Sequence, residues 1–132
     1  LKNIIANHRK VLPEAPILFL TPADRGKTKI LRQTLDTIEQ RKQIAKDNQA
    51  ALWDLFAAMG GEGGMRNFYR RGMCMADHVH FNERGGTYMG LRLTHALWRG
   101  LKAYVETHPD AGCGPEDVRA QIPGRSEALA QD

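Results

Sequence analysis

Residues 16–21 read Pro16-Ile17-Leu18-Phe19-Leu20-Thr21, an apolar run of strand length with proline on one side and the turn-forming Pro22-Ala23-Asp24-Arg25-Gly26 on the other. A short run without polar alternation fits a strand buried on both faces, as in a parallel sheet. Upstream, Ile4, Ile5, His8, Val11 and Leu12 fall on one face of a helix over 2–12, which Pro13 and Pro16 end. Downstream, a helix is predicted over 28–49, with Leu31, Leu35, Ile38 and Ala45 close to one face and charged or amide side chains opposite. Ala51-Leu52-Trp53-Asp54-Leu55-Phe56 is a second apolar run and predicts a second strand. Gly60, Gly61, Gly63 and Gly64 mark a mobile or tightly turned loop, with a short helix near 66–71. A last helix is predicted over 86–107, where Met89, Leu93, Leu97, Leu101 and Tyr104 repeat every three to four residues until Pro109. Residues 109–132 turn polar without period and read as a poorly ordered tail.

The order helix, strand, helix, strand, loop, helix indicates an α/β class with a parallel sheet. Two strands alone leave unpaired edges and apolar faces. The expectation is that a second copy, or polypeptide outside this sequence, completes the sheet. The chain opens at Leu1 within a helical pattern, which fits the second alternative.

At 132 residues the chain suits one domain with a real core. No run approaches the ~18 apolar residues of a membrane span, so a membrane-spanning helix is not expected. Net charge is +4, but the basic residues are scattered, acidic residues sit among them, and no stacking aromatics are interleaved. A solvated basic surface, not a nucleic-acid site, is the reading. Cys74 and Cys113 are too few for a disulfide scaffold and lack structural-zinc spacing. Their pairing would need an oxidising compartment.

The densest chemical cluster is Asp77-His78-Val79-His80, between the glycine-rich loop and the last helix. In open α/β sheets, sites form in loops at the carboxyl ends of strands. An Asp three residues before a His can set its carboxylate against one imidazole nitrogen, fixing the tautomer and leaving the other nitrogen as a general base toward a hydroxyl. Two other readings stay open. Asp77 also fits a helix cap beside a surface histidine. His78-x-His80 beside Asp77 offers ligand types that zinc or iron accepts, although only the distant His95 and Cys74 would complete a shell. Elsewhere the readings are structural. Trp53 is expected in the core and Asp54 in a strand-end hydrogen bond. Met59, Met65, Met73 and Met75 are gap fillers or an apolar substrate wall. Cys74 reads as a small buried residue, His95 as packed or surface, and Arg70-Arg71 as a solvated pair.

The segment Ala76-Asp77-His78-Val79-His80-Phe81-Asn82-Glu83-Arg84-Gly85-Gly86-Thr87-Tyr88 resembles the last block of the SGNH (GDSL-type) hydrolases, in which D-x-V-H precedes a polar turn, a glycine and a tyrosine opening the C-terminal helix. Pro16 to Pro22 is similar to the fourth strand of that family. Ala51 to Phe56 with Met59-Gly60-Gly61 is similar to the fifth strand and following loop of its acyl-esterase branch, which acts on carbohydrate or cell-wall acetyl groups. The likeness covers about residues 2–106. It implies a three-layer, flavodoxin-like parallel sheet of five strands, with only the last two in this chain. Residues 1–108 would then be the C-terminal portion of the hydrolase domain.

The resemblance makes Asp77 and His80 the acid and base of a Ser-His-Asp triad. It supplies no nucleophile: neither a G-D-S nor a G-x-N-D motif is present, and the single serine, Ser126, lies in the polar tail. The implied substrate is a small acyl ester or an acetylated glycan, with no cofactor, no metal, no nucleic acid and no membrane. The implied partner is the missing N-terminal half of the same domain, or a homodimer mate. Acyl transfer by the same triad and a non-catalytic α/β interaction domain remain the alternatives. Esterases of this type that act on envelope or dietary glycans point to export, periplasmic or secreted.

Overall fold

In the computed structural model, residues 2–26 and 28–110 are described. The polar tail from 111 onward, with Cys113 and Ser126, lies outside them. The elements run α1 (Lys2–Val11), β1 (Leu18–Leu20), α2 (Thr28–Asp47), β2 (Ala51–Trp53), α3 (Leu55–Ala58), α4 (Gly64–Arg70) and α5 (Glu83–Thr107). This is a mixed α/β chain in which β1 and β2 pair in parallel and helices flank them. Leu18 pairs with Ala51, Phe19 with Leu52 and Leu20 with Trp53. The chain divides into two compact units, one ending at Leu93 and one starting at Thr94.

The second strand is shorter than its apolar run predicts. Asp54 ends it, because its side chain accepts a hydrogen bond from the Ala57 N–H and caps α3. Leu55 and Phe56 therefore belong to a helix, and Phe56 is buried there. The strand expected to be buried on both faces is not: Leu18 and Leu20 are each 37% exposed. The ladder shows which edge their backbone groups face. Ala51 N–H donates to Ile17 C=O and Thr21 N–H donates to Trp53 C=O. Leu18 and Leu20 consequently direct their backbone groups to the edge away from β2. Arg41 of α2 donates from Nη1 to the Leu20 carbonyl on that edge.

The expected helical faces hold in part. Ile5 is buried in α1, whereas Ile4, Val11 and Leu12 are exposed. In α2, Ile38 and Ala45 are buried with Thr34, and Leu35 is exposed. In α5, Met89 is buried, while Leu97, Leu101 and Tyr104 are exposed, so the predicted stripe reaches solvent over its second half. No helix among the described residues is long and apolar enough to cross a membrane.

Apart from the buried Ile5, Ile38, Ala45 and Phe56, a hydrophobic cluster lies beside the glycine-rich loop. Met59, Met65, Phe68, Met73, Cys74 and Met89 form it, with Trp53, Leu55, Phe81 and Tyr88 packed against it. Phe68 holds two ring contacts, to Phe81 at 5.4 Å and to Tyr88 at 5.8 Å. Met65 is fully buried at 0% exposure. Met65→Ala is expected to cost about 2–5 kcal/mol, the range for deleting a buried methionine side chain. Urea unfolding checks this, and a loss below about 1 kcal/mol would mean the core collapses freely around the gap.

Candidate functional site

The Asp77–His80 segment is a loop closed at both ends. Gly72, at φ +62, ends α4 in the left-handed region that glycine adopts without penalty. The Met73 N–H then reaches back to the Phe68 carbonyl at 2.9 Å, a Schellman closure that turns the chain toward the core. Cys74 forms an antiparallel bridge with Phe81, and Met75 N–H donates to His80 C=O at 2.8 Å. Between them, His78 N–H donates to Met75 C=O at 3.1 Å.

Asn82 fixes the exit. Its Oδ1 accepts from Gly85 N–H at 3.0 Å, capping α5, and its Nδ2 donates to the Gly72 carbonyl at 3.0 Å. The start of α5 is thus tied to the end of α4. The helix opens at Glu83, three residues before the predicted start, because Gly85 and Gly86 are helical. Gly85 is buried, and a β-carbon there would lie 1.9 Å from the Met73 carbonyl oxygen.

Inside this loop the structure brings Asp77 and His80 together. Asp77 Oδ2 lies 2.7 Å from His80 Nδ1. Asp77 Oδ1 accepts from the N–H of Val79 at 2.9 Å and of His80 at 3.1 Å. One carboxylate therefore organises the turn and holds the ring. The hydrogen bond from His80, aided by those two N–H groups, holds the Asp77 carboxyl far below the usual carboxylate range. An ionised carboxylate at this distance places the imidazole proton on Nδ1 and leaves the Nε2 lone pair as the basic site. The His80 side chain is 71% exposed, so a hydroxyl can approach it from solvent.

A carboxyl with a depressed folded-state pKa contributes stability above its unfolded value, about 3.9, and loses it as pH falls through the folded value. The turn is accordingly expected to persist from neutral pH down to about 4 and to loosen only in stronger acid. The Asp77 carboxyl carbon and the Val79 amide in an NMR pH titration report this. A midpoint at the free-aspartate value would contradict the geometry.

His78 takes the opposite direction. Its φ is +59, a left-handed conformation rare for a residue with a side chain, and its ring stacks on Tyr69 with centroids 4.1 Å apart. The two histidines therefore do not converge with Asp77. No group of three metal-ligating side chains is assembled among the described residues.

Two polar residues at the end of the first apolar run and in the turn after it hold the site's surroundings. Thr21, 1% exposed, donates from Oγ1 to Asp54 Oδ1 at 2.9 Å and accepts from Phe56 N–H at 3.1 Å. Asp24, also buried, accepts from Met65 N–H at 2.9 Å through Oδ2 and from Gly26 N–H at 3.3 Å through Oδ1. The loop after β1 is thereby pinned to the first turn of α4. It also meets the candidate site, because a β-carbon on Gly26 would lie 3.7 Å from the His78 carbonyl oxygen. The D-x-G spacing of Asp24 and Gly26 was the one sequence signal of this arrangement.

The remaining candidates divide clearly. Asp54 makes its strand-end bond, and Trp53 packs against the core. Met59, Met65 and Met73 are core residues, while Met75 is 54% exposed. Cys74 is buried, and burial, with the Asp77 charge adding to it, pushes its thiol pKa up. His95, Arg70 and Arg71 are exposed. A cavity of about 630 Å³ at the start of α5 has Met73, Asn82, Arg84, Tyr88 and Leu91 in its walls. Neither Asp77 nor His80 is among them. Comparison with protein-family models, with curated proteins and with solved structures returned no match.

Proposed function

We propose that this chain carries the acid and base of a serine ester hydrolase of SGNH type. The 2.7 Å contact between Asp77 Oδ2 and His80 Nδ1 carries the reading, because it leaves Nε2 basic and open to solvent. In this reading His80 takes the proton from a serine hydroxyl as it attacks an ester carbonyl. Asp77 orients the ring and stabilises the imidazolium that forms. The alcohol leaves with that proton, and water activated by the same ring hydrolyses the acyl-enzyme. The substrate class is a small acyl ester, an O-acetyl group on a glycan among them. Transfer of the acyl group to a sugar hydroxyl is the variant of the same chemistry.

The nucleophile and oxyanion donors belong, on this reading, to an N-terminal half of a three-layer, flavodoxin-like domain. Its sheet continues from the edge of β1. The backbone groups that Leu18 and Leu20 turn away from β2 support that continuation, with the incoming strand taking the Leu20 carbonyl from Arg41. The same edge also favours a second reading, a non-catalytic module that pairs its sheet with another protein or a second copy. Hydrolysis of p-nitrophenyl acetate tests the proposal. The 132-residue chain is expected at the buffer rate. The chain preceded by its upstream coding sequence is expected to hydrolyse the ester at an enzymatic rate. If the longer chain is also inert and its frame encodes no G-D-S motif, the hydrolase reading fails and the pairing module stands.

A further inference from the structure

A second pocket lies where the loop after β1 meets α2. It has a volume of about 250 Å³ and is lined by Pro22, Arg25, Gln33, Thr34, Thr37 and Arg41. No acidic side chain is among these walls. Residues 33, 34, 37 and 41 share one face of α2 and turn a guanidinium, an amide and two hydroxyls toward the loop. Thr37 spends its hydroxyl proton on the Gln33 carbonyl at 2.7 Å. The charged donors in these walls are the two guanidinium groups, with the Gln33 amide beside them.

Arg41 gives the second observation. Its Nη1 is committed to the Leu20 carbonyl, and its Nε is buried without a hydrogen-bond partner. The guanidinium is thereby held at the pocket wall, and an oxyanion there meets its remaining outward N–H groups with charge-assisted bonds. The volume fits one small charged group and a few waters rather than a whole drug-sized ligand. The location is also the carboxyl end of a parallel strand, where ligands of open α/β sheets bind.

We propose that this pocket binds an oxyanion, a phosphate or carboxylate group, between Arg25 and Arg41. Arg25 is followed by Gly26, where an added β-carbon would lie 3.7 Å from the His78 carbonyl oxygen, so the loop that supplies Arg25 also approaches the Asp77–His80 loop. Under the hydrolase reading, which this extension presupposes, the pocket takes an anionic group carried by the substrate. The binding itself requires no catalysis, so its test is separate from the esterase assay.

The test is an NMR titration of the 132-residue chain with inorganic phosphate and, separately, with sodium acetate, at constant low ionic strength. Saturable shifts of amides in 22–26 and 33–41 at millimolar anion are expected. Arg25→Gln and Arg41→Gln are each expected to weaken binding about fivefold or more, as loss of a charge-assisted partner should. Arg99→Gln, on the second half of α5, is expected to leave it unchanged. Preference for one anion names the group. Non-saturating shifts with both anions, or equal affinity in the Arg25 and Arg41 variants, overturn the proposal. Binding together with an inert esterase assay would retain the anion site and remove only its assignment to an ester substrate.

Discussion

Gly85→Ala is expected to remove about 2–4 kcal/mol of stability, more than overpacking usually does, although the change adds one methyl group. Helix propensity alone predicts the opposite, since alanine is favoured over glycine by about 1 kcal/mol in a helix interior. Close approach decides the sign here. The added carbon would fall 1.9 Å from the Met73 carbonyl oxygen and 2.9 Å from its carbon, and both belong to backbone that cannot rotate away. The first turn of α5 would have to move off the strand-like segment at Met73. Asn82, which bonds both the Gly72 carbonyl and the Gly85 N–H, would lose one end of its link. Gly86→Ala is the internal comparison. Nothing lies within 4 Å of its added carbon, so propensity wins and a gain of about 0.5–1 kcal/mol is expected. Urea unfolding of the two variants measures both signs. Equal stabilities would show that α5 does not press on Met73 as described.

The largest effect on activity is expected at His80. In the longer chain that the hydrolase reading requires, His80→Ala should lower kcat by about 10⁶, because members of such a triad act as a unit. Asp77→Ala should cost less, about 10⁴, since the ring remains but is neither oriented nor charge-stabilised. Asp77 also anchors the Val79 and His80 amides, so its removal disturbs the turn as well as the chemistry. His78→Ala is the control: its ring faces Tyr69, and kcat should stay within about tenfold. An His80 variant that retains activity would end the assignment. Steady-state kinetics on an activated acetyl ester make the measurement.

The alternation of helices and strands was legible because apolar runs and helical periods are local. The Asp77–His80 contact was legible for the same reason: three residues of separation let one turn close it. The end of β2 was not, because Asp54 is a cap concealed inside a continuous apolar run. The start of α5 was hidden by Gly85-Gly86, which looks like a break but permits a close approach to Met73. Thr21 closes the first apolar run and Asp24 lies in the turn after it, and neither position announces a buried hydrogen bond. Their partners, Asp54, Phe56 and Met65, lie 33, 35 and 41 residues away, where no periodicity reaches. The exposure of Leu18 and Leu20 overturned the expectation of a strand buried on both sides. Hydrophobic patterning reports what a strand is suited to contact, not which contacts this chain provides.

Arg41 sets a condition on how the sheet can grow. Its guanidinium sits on the last outward carbonyl of β1 and denies an incoming strand that docking point. With only three residues in the strand, one occupied acceptor is a large share of what a stacking neighbour needs. Whatever strand completes the sheet has to take the Leu20 carbonyl from Arg41, and a short neutral residue in its place would remove that competition.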